Sequence, residues 1–137
     1  MTYTYRHPRP SVTVDAVLIS DDQQVLLIQR LKDPFAGQWA FPGGFVDEME
    51  DPAAAVRREL EEETGLVGVD FEPFGFYGAP GRDPRGHTIS LCFVAQVRAG
   101  DLRPVAADDA AAVKWFPLSD LPDLAFDHGE ILRDVLS

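Results

Sequence analysis

Cysteine, long apolar runs and clustered basic residues are all scarce in this chain, and each shortage excludes something. Cys92 is the single cysteine in 137 residues, so no intrachain disulfide can form. Its place in the apolar run Leu91-Cys92-Phe93 suggests a buried thiol, and such sparse use suits a reducing compartment. No 18-residue apolar span occurs, and the opening Met1-Thr2-Tyr3-Thr4-Tyr5-Arg6 lacks the hydrophobic stretch of a secretory signal. A cytoplasmic protein with no membrane partner is therefore expected. His7, His87 and His128 show no metal-ligand spacing and read as ordinary. Lys and Arg number 12 against 23 Asp and Glu, for a net charge of −11 and a pI near 4.5. An acidic chain without a basic stripe is poorly suited to nucleic acid or an anionic bilayer. Local arginines and a metal could still hold a small phosphate compound. The length suits one domain spanning residues 1–137, without repeats, low-complexity tracts or an interdomain linker.

What is present is concentrated between Gly44 and Leu66, where Glu50, Glu59, Glu62 and Glu63, Arg58, and the glycines Gly44 and Gly65 stand at spacings that suit a divalent-metal site. Asp51 is a good helix N-cap, Pro52 suits the first helical position, and Gly65 can adopt the left-handed conformation that ends a helix. A helix over residues 52–64 follows, with Ala53, Val56 and Leu60 as its apolar stripe. Glu59, Glu62 and Glu63 then fall at i, i+3 and i+4, on one face. Like charges so placed repel by a few tenths of a kcal/mol, roughly the size of an ordinary helix pair. Carboxylates in the last turn also oppose the helix dipole, by about 0.3–1 kcal/mol each. Taken alone, such a face reads as solvated acid. It also suits a divalent cation, since Mg2+ prefers carboxylate, carbonyl and water oxygens and would relieve the repulsion. Arg58 stands four residues before Glu62 and can pair with Glu50 or with the cluster.

Gly44 is followed after five residues by Glu50, after seven more by Arg58-Glu59-Leu60, then by Glu62-Glu63 and Gly65-Leu66. This stretch resembles the Nudix box, Gly-x5-Glu-x7-Arg-Glu-U-x-Glu-Glu-x-Gly-U with U aliphatic, and matches it at every specified position. The resemblance implies an α/β/α sandwich, a mixed β-sheet flanked by helices, and metal-dependent hydrolysis of a diphosphate. It implies Glu59, Glu62 and Glu63 as metal ligands, with a backbone carbonyl near Gly43 as a further one, and an orienting role for Arg58 and Glu50. Glycine at 43 and 44 lets the backbone approach an ion or phosphate closely. Magnesium is the expected ion, and manganese accepts the same oxygen donors.

Outside the box, the Gly/Pro-rich segment Tyr77–His87 reads as a loop in which Arg82 or Arg85 could hold two phosphate oxygens through a planar guanidinium. Arg30, at the end of the apolar run Val25–Gln29, could reach the same phosphates. This loop, Pro80 within it, the opening Tyr5–Asp15 and the segment Pro34–Phe45 are similar to the ADP-ribose pyrophosphatase branch of the family. That likeness implies ADP-ribose as the nucleotide substrate, cut to AMP and ribose 5-phosphate, and a homodimer formed through the N-terminal segment. Two other readings use the same box: a hydrolase of modified nucleoside triphosphates, and an ADP-ribose-type sensor without turnover. The complete glutamate set and the absence of a DNA-binding module from these residues weigh against the sensor. For the general base, the family implies an acid in a later loop, which fits Asp108 or Asp109, and a box glutamate could serve instead.

Strands are expected at 12–20, 25–31, 67–79, 88–98 and 113–116, with short extended pieces over 39–46 and a second helix over 128–136. Phe35, Trp39, Phe41, Phe76 and Tyr77 are expected in the core, one or two of them free to stack on adenine.

Overall fold

The computed structural model describes residues 4–107 and 110–137. Strands β1 (Ser11–Ser20) and β2 (Gln24–Arg30) form a hairpin but pair only at Ile19 and Val25. Beyond that point they part. β3 (Trp39–Ala40) takes the freed edge of β2, and β4 (Gly43–Phe45) takes that of β1. Phe41 and Pro42 therefore bridge the fork, and Gly43-Gly44 emerges at its mouth. β6 (Thr88–Val97) runs parallel to β1 along its whole length, β5 (Glu72–Tyr77) is antiparallel to β6, and β7 (Ala110–Pro117) is antiparallel to β2. Among the described residues the result is a seven-stranded mixed sheet. Parallel strands need a long crossover, and helix α1 (Pro52–Thr64) lies in the one between β1 and β6.

Alternation along the strands gives each face its own core. Val14, Ala16 and Leu18 pack with Ala55, Val56 and Leu60 of α1. Val17, Ile19, Val25 and Leu27 pack with Ile131 and Leu132 of α2 (His128–Leu136) on the other face. This is the helix–sheet–helix sandwich that the box implied. Among the described residues, no helix is long and apolar enough to cross a membrane.

Helix α1 has the expected ends: the Asp51 carboxylate accepts the Ala53 N–H at 2.9 Å, and Gly65, at φ 74°, donates its N–H to Glu61 O. Its stripe differs by one position, because Ala55 is buried while Ala53 is exposed. β5 begins at Glu72 rather than 67. Before it, Gly68 turns the chain at φ 74° while Leu66 and Val69 anchor a connector in the core. β7 is longer than expected at its start, because pairing with β2 recruits alanines of weak strand preference. Phe41 is buried, and Phe35, Trp39 and Tyr77 are half-buried, but Phe76 is 76% exposed on the edge strand β5, contrary to its expected core position.

Candidate active site

The fork in the sheet and the second half of α1 bring the box together. Glu63 is buried, and its Oε1 accepts the Gly43 N–H at 2.7 Å. Burial pushes its carboxyl up to about 8, opposed by the Gly43 amide and reinforced by the Glu59 and Asp15 charges. Glu59 lies against Gly44: a Cβ there would stand 2.6 Å from the Glu59 Cδ and would push that carboxylate out of its present place. Burial also raises the Glu59 carboxyl, with Arg58 opposing. Glu62 is the exposed member of the three.

Arg58 ties these acids to the β4 turn. Its Nε and Nη2 bind Glu50 at 2.7 and 2.9 Å, Nη1 is shared by Glu59 at 2.9 Å and Glu62 at 3.1 Å, and Nη2 also donates to Phe45 O at 3.0 Å. The Arg58 hydrogen bonds, helped by the Asp47 N–H, hold the Glu50 carboxyl down at about 2. Arg58 thus pairs with Glu50 and with two of the cluster at once.

Glu59, Glu62, Glu63, Gly43, Gly44 and Asp47 line a cleft of about 380 Å³ whose other side carries Arg30, Lys32 and Arg85. Arg85 is preset: its Nε and Nη2 bind Asp83 at 3.1 and 2.8 Å, and its guanidinium lies 4.8 Å from the Phe45 ring centroid and 5.5 Å from that of Phe126. Burial disfavours the Asp83 charge, yet the Arg85 side chain and N–H hold its carboxyl below the usual range. Arg30 donates to Pro34 O at 2.7 Å and lies 5.0 Å from the Phe126 centroid. Arg82, offered with Arg85 as a phosphate ligand, is placed differently. Its side chain is 5% exposed and grips Asp127 through Nε at 2.8 Å and Nη2 at 2.6 Å, and it lines not the acidic cleft but a small adjoining pocket shared with Arg30, Gly43, Gly44 and Arg85. Asp108 and Asp109 lie outside the described residues.

Several residues of this region had no functional role in the sequence reading: Asp83, Phe126 and Asp127, and the buried trio of Asp15, Ser90 and His128, the last read there as an ordinary histidine. Asp15 did carry a signal, as a lone acid inside the apolar run Val12–Ile19, because a buried charge needs a partner. Phe126 and the remaining polar residues stand in loops or near element ends, where pattern says little.

Among the described residues, no three His, Cys, Asp or Glu side chains already converge as a metal cluster, since Arg58 and the Gly43 N–H hold the glutamates. The donor set nonetheless fits a hard divalent cation. It is all oxygen, and two of its three carboxylates are drawn from water into a position where ionisation is disfavoured without a nearby positive charge.

A glutamate-bearing helix seated on a glycine turn, facing arginines across a cleft in an α/β/α sandwich, defines a pyrophosphohydrolase type of site. The NUDIX domain model matches residues 9–135, and the chain belongs to that family. It is 46% identical over 132 residues to the ADP-ribose pyrophosphatase of Methanocaldococcus jannaschii, covering 96% of this chain and 75% of that protein. It is 34% identical to the ADPR responsive transcriptional repressor NtrR of Acinetobacter baylyi over 96% of this chain and 55% of the repressor. The NUDIX domain of Shewanella oneidensis NrtR, solved with ADP ribose, superposes with a TM-score of 0.86 at 36% identity, over 96% of this chain and 91% of that one.

Proposed function

We propose that this protein hydrolyses the diphosphate of ADP-ribose to AMP and ribose 5-phosphate, with Mg2+ or Mn2+ held by Glu59, Glu62, Glu63 and the Gly43 carbonyl. The observation that carries this reading is one cleft with Glu59 and Glu63 seated on Gly43-Gly44 along one wall and Arg30 and Arg85 on the other. Identity to the Methanocaldococcus pyrophosphatase supports the substrate.

In this reading Arg85, with Asp83 and two rings fixing its plane, and Arg30 receive the phosphate oxygens. When bound, the divalent cation neutralises charge on the diphosphate and lowers the barrier to attack. Arg58 keeps Glu59 and Glu62 aligned on the cleft, while the Gly43 amide orients Glu63. Water adds to one phosphorus and gives its proton to a carboxylate, Asp109 or a box glutamate such as Glu59. The bridging oxygen leaves with the other phosphate. A groove of about 820 Å³ between residues 4–12 and 45–49, with Tyr5, Phe45 and Met49 exposed, supports a homodimer formed through the N-terminal segment. The same reading places the protein in the cytoplasm.

The likeness to the repressor favours one second reading, an ADP-ribose sensor that binds without turnover. Purified protein offered ADP-ribose, ADP-glucose, NADH and oxidised dGTP with Mg2+ separates the readings. The expected outcome is ADP-ribose with the highest kcat/KM. Binding of ADP-ribose without AMP release would favour the sensor, and preference for the triphosphate by orders of magnitude would overturn the substrate.

A further inference from the structure

Behind the acidic cleft, on the α2 side of the sheet, three polar groups lie where alternation calls for apolar ones. Asp15 of β1, Ser90 of β6 and His128 of α2 are all buried. Ser90 Oγ donates to Asp15 Oδ2, and His128 Nε2 stands 3.5 Å from Asp15 Oδ1. The other imidazole nitrogen, Nδ1, accepts the Phe41 N–H at 3.1 Å. An accepting Nδ1 leaves the ring proton on Nε2, the nitrogen nearer the carboxylate. Burial favours this neutral ring by lowering its affinity for a second proton. Removing a carboxylate from water is unfavourable unless it is well partnered, and no step proposed above uses Asp15 or His128.

The network reaches the site through the turn Phe41-Pro42-Gly43-Gly44. Phe41 N–H goes to His128, Pro42 O accepts the Ala16 N–H at 2.8 Å, and Gly43 N–H goes to Glu63. Asp15 presses on the turn from behind: a Cβ at Gly43 would lie 2.8 Å from its Oδ1. Glu59 presses on Gly44 from the front. His128 is itself held firmly. Its ring stacks on Phe41 at 4.7 Å and 22°, and the adjoining Asp127 is clamped to buried Arg82. Just before them, Phe126 sits at φ 53°, a conformation that a bulky residue keeps only where its surroundings enforce it.

We infer that Asp15 and His128 are positioning residues for the cleft: His128 sets where the Phe41–Gly44 turn stands over Glu59 and Glu63, and Asp15 holds the imidazole in the tautomer that accepts from Phe41. The consequence for turnover rests on the diphosphatase reading. The consequence for the turn does not.

The test compares His128→Leu, His128→Asn and Asp15→Asn with the wild type. Leucine keeps bulk but offers no acceptor, whereas the asparagine oxygen can stand near the position of Nδ1. Three quantities are read: the amide shifts and exchange of Phe41 and Gly43 by NMR, Mn2+ affinity without substrate, and kcat and KM for ADP-ribose. In His128→Leu the Phe41 amide should exchange faster, the Gly43 resonance should move, and Mn2+ affinity should fall about tenfold, as for supporting groups behind metal ligands. Its kcat should fall about 100-fold, the effect of a displaced constellation, with KM nearly constant. His128→Asn should recover most of each loss, and Asp15→Asn should move all three in the same direction by less. A folded His128→Leu with unmoved amides and wild-type Mn2+ affinity would overturn the inference, as would His128→Asn no better than leucine. Should His128→Leu not fold, Asp15→Asn decides: unmoved amides there reject the inference. A wild type inactive on ADP-ribose whose variants still shift the Gly43 amide would reject the diphosphatase reading alone.

Discussion

The second half of α1 and the first turn of α2 both present polar groups to the β3–β4 turn, yet they do so in opposite ways. On α1, Arg58 spreads its donors over Glu50, Glu59, Glu62 and Phe45 O, at the lip of an open cleft. At α2 each partnership is narrow and buried: Arg82 with Asp127, His128 with Phe41 and Asp15. The shared Arg58–Glu62 bond, on the exposed member of the cluster, can be exchanged for a cation or a phosphate at little cost, because surface ion pairs contribute only about 0–1 kcal/mol. Buried pairs cannot be exchanged, since separating one strands a charge. Chemistry therefore falls to the α1 side and rigidity to the α2 side.

The largest break expected in this contrast is on the α1 side. Glu62→Gln and Glu63→Gln should each lower kcat by about 10²–10³-fold at saturating Mg2+, as expected when several kcal/mol of electrostatic stabilisation is lost. Their circular dichroism and thermal midpoint should stay close to wild type. Near-normal turnover in both would erase the distinction. On the α2 side the order should reverse. Asp127→Ala leaves Arg82 buried without its carboxylate and should cost about 3 kcal/mol in urea unfolding, the lower end for a buried pair because Asp127 is partly exposed. A loss below about 1 kcal/mol would show that the clamp behaves as a surface pair.

Two arginines three residues apart sharpen the comparison further. Arg85→Ala should raise KM for ADP-ribose about tenfold, the effect of one charged hydrogen bond, with kcat little changed. Arg82→Ala should instead lower stability and leave KM nearly untouched. Equal KM effects from both would remove Arg85 from substrate binding. The smallest effect concerns acid. Glu50 has its carboxyl lowered from 4.5 to about 2 by Arg58, so its stabilising contribution is complete above pH 4.5 and is lost as pH falls toward 2. Glu50→Gln should flatten the stability profile across that window. An unchanged acid limb would mean that the Arg58 contact adds nothing to folding.

How far these regions could be read in advance follows from how local their causes are. Helix α1, its caps and the glutamate face are set within residues 51–65 by capping and helical spacing, so they were legible, and the hairpin strands showed in their apolar runs. Arg82 and Arg85 sit in the same kind of loop and differ only because Asp127, 45 residues away, captures one of them. Phe76 looked like core but lies on an edge strand whose faces remain exposed. The Ser90–Asp15–His128 chain joins β6, β1 and α2, and no local pattern announces three such distant partners.

The central claim is that Glu59, Glu62 and Glu63 jointly hold a divalent cation beside Gly43, and a crystal soaked in Mn2+ tests it most directly. An anomalous peak bounded by those carboxylates and the Gly43 carbonyl is the expected result. Three side chains left on Arg58 and the Gly43 amide, with manganese bound elsewhere or nowhere, would contradict it.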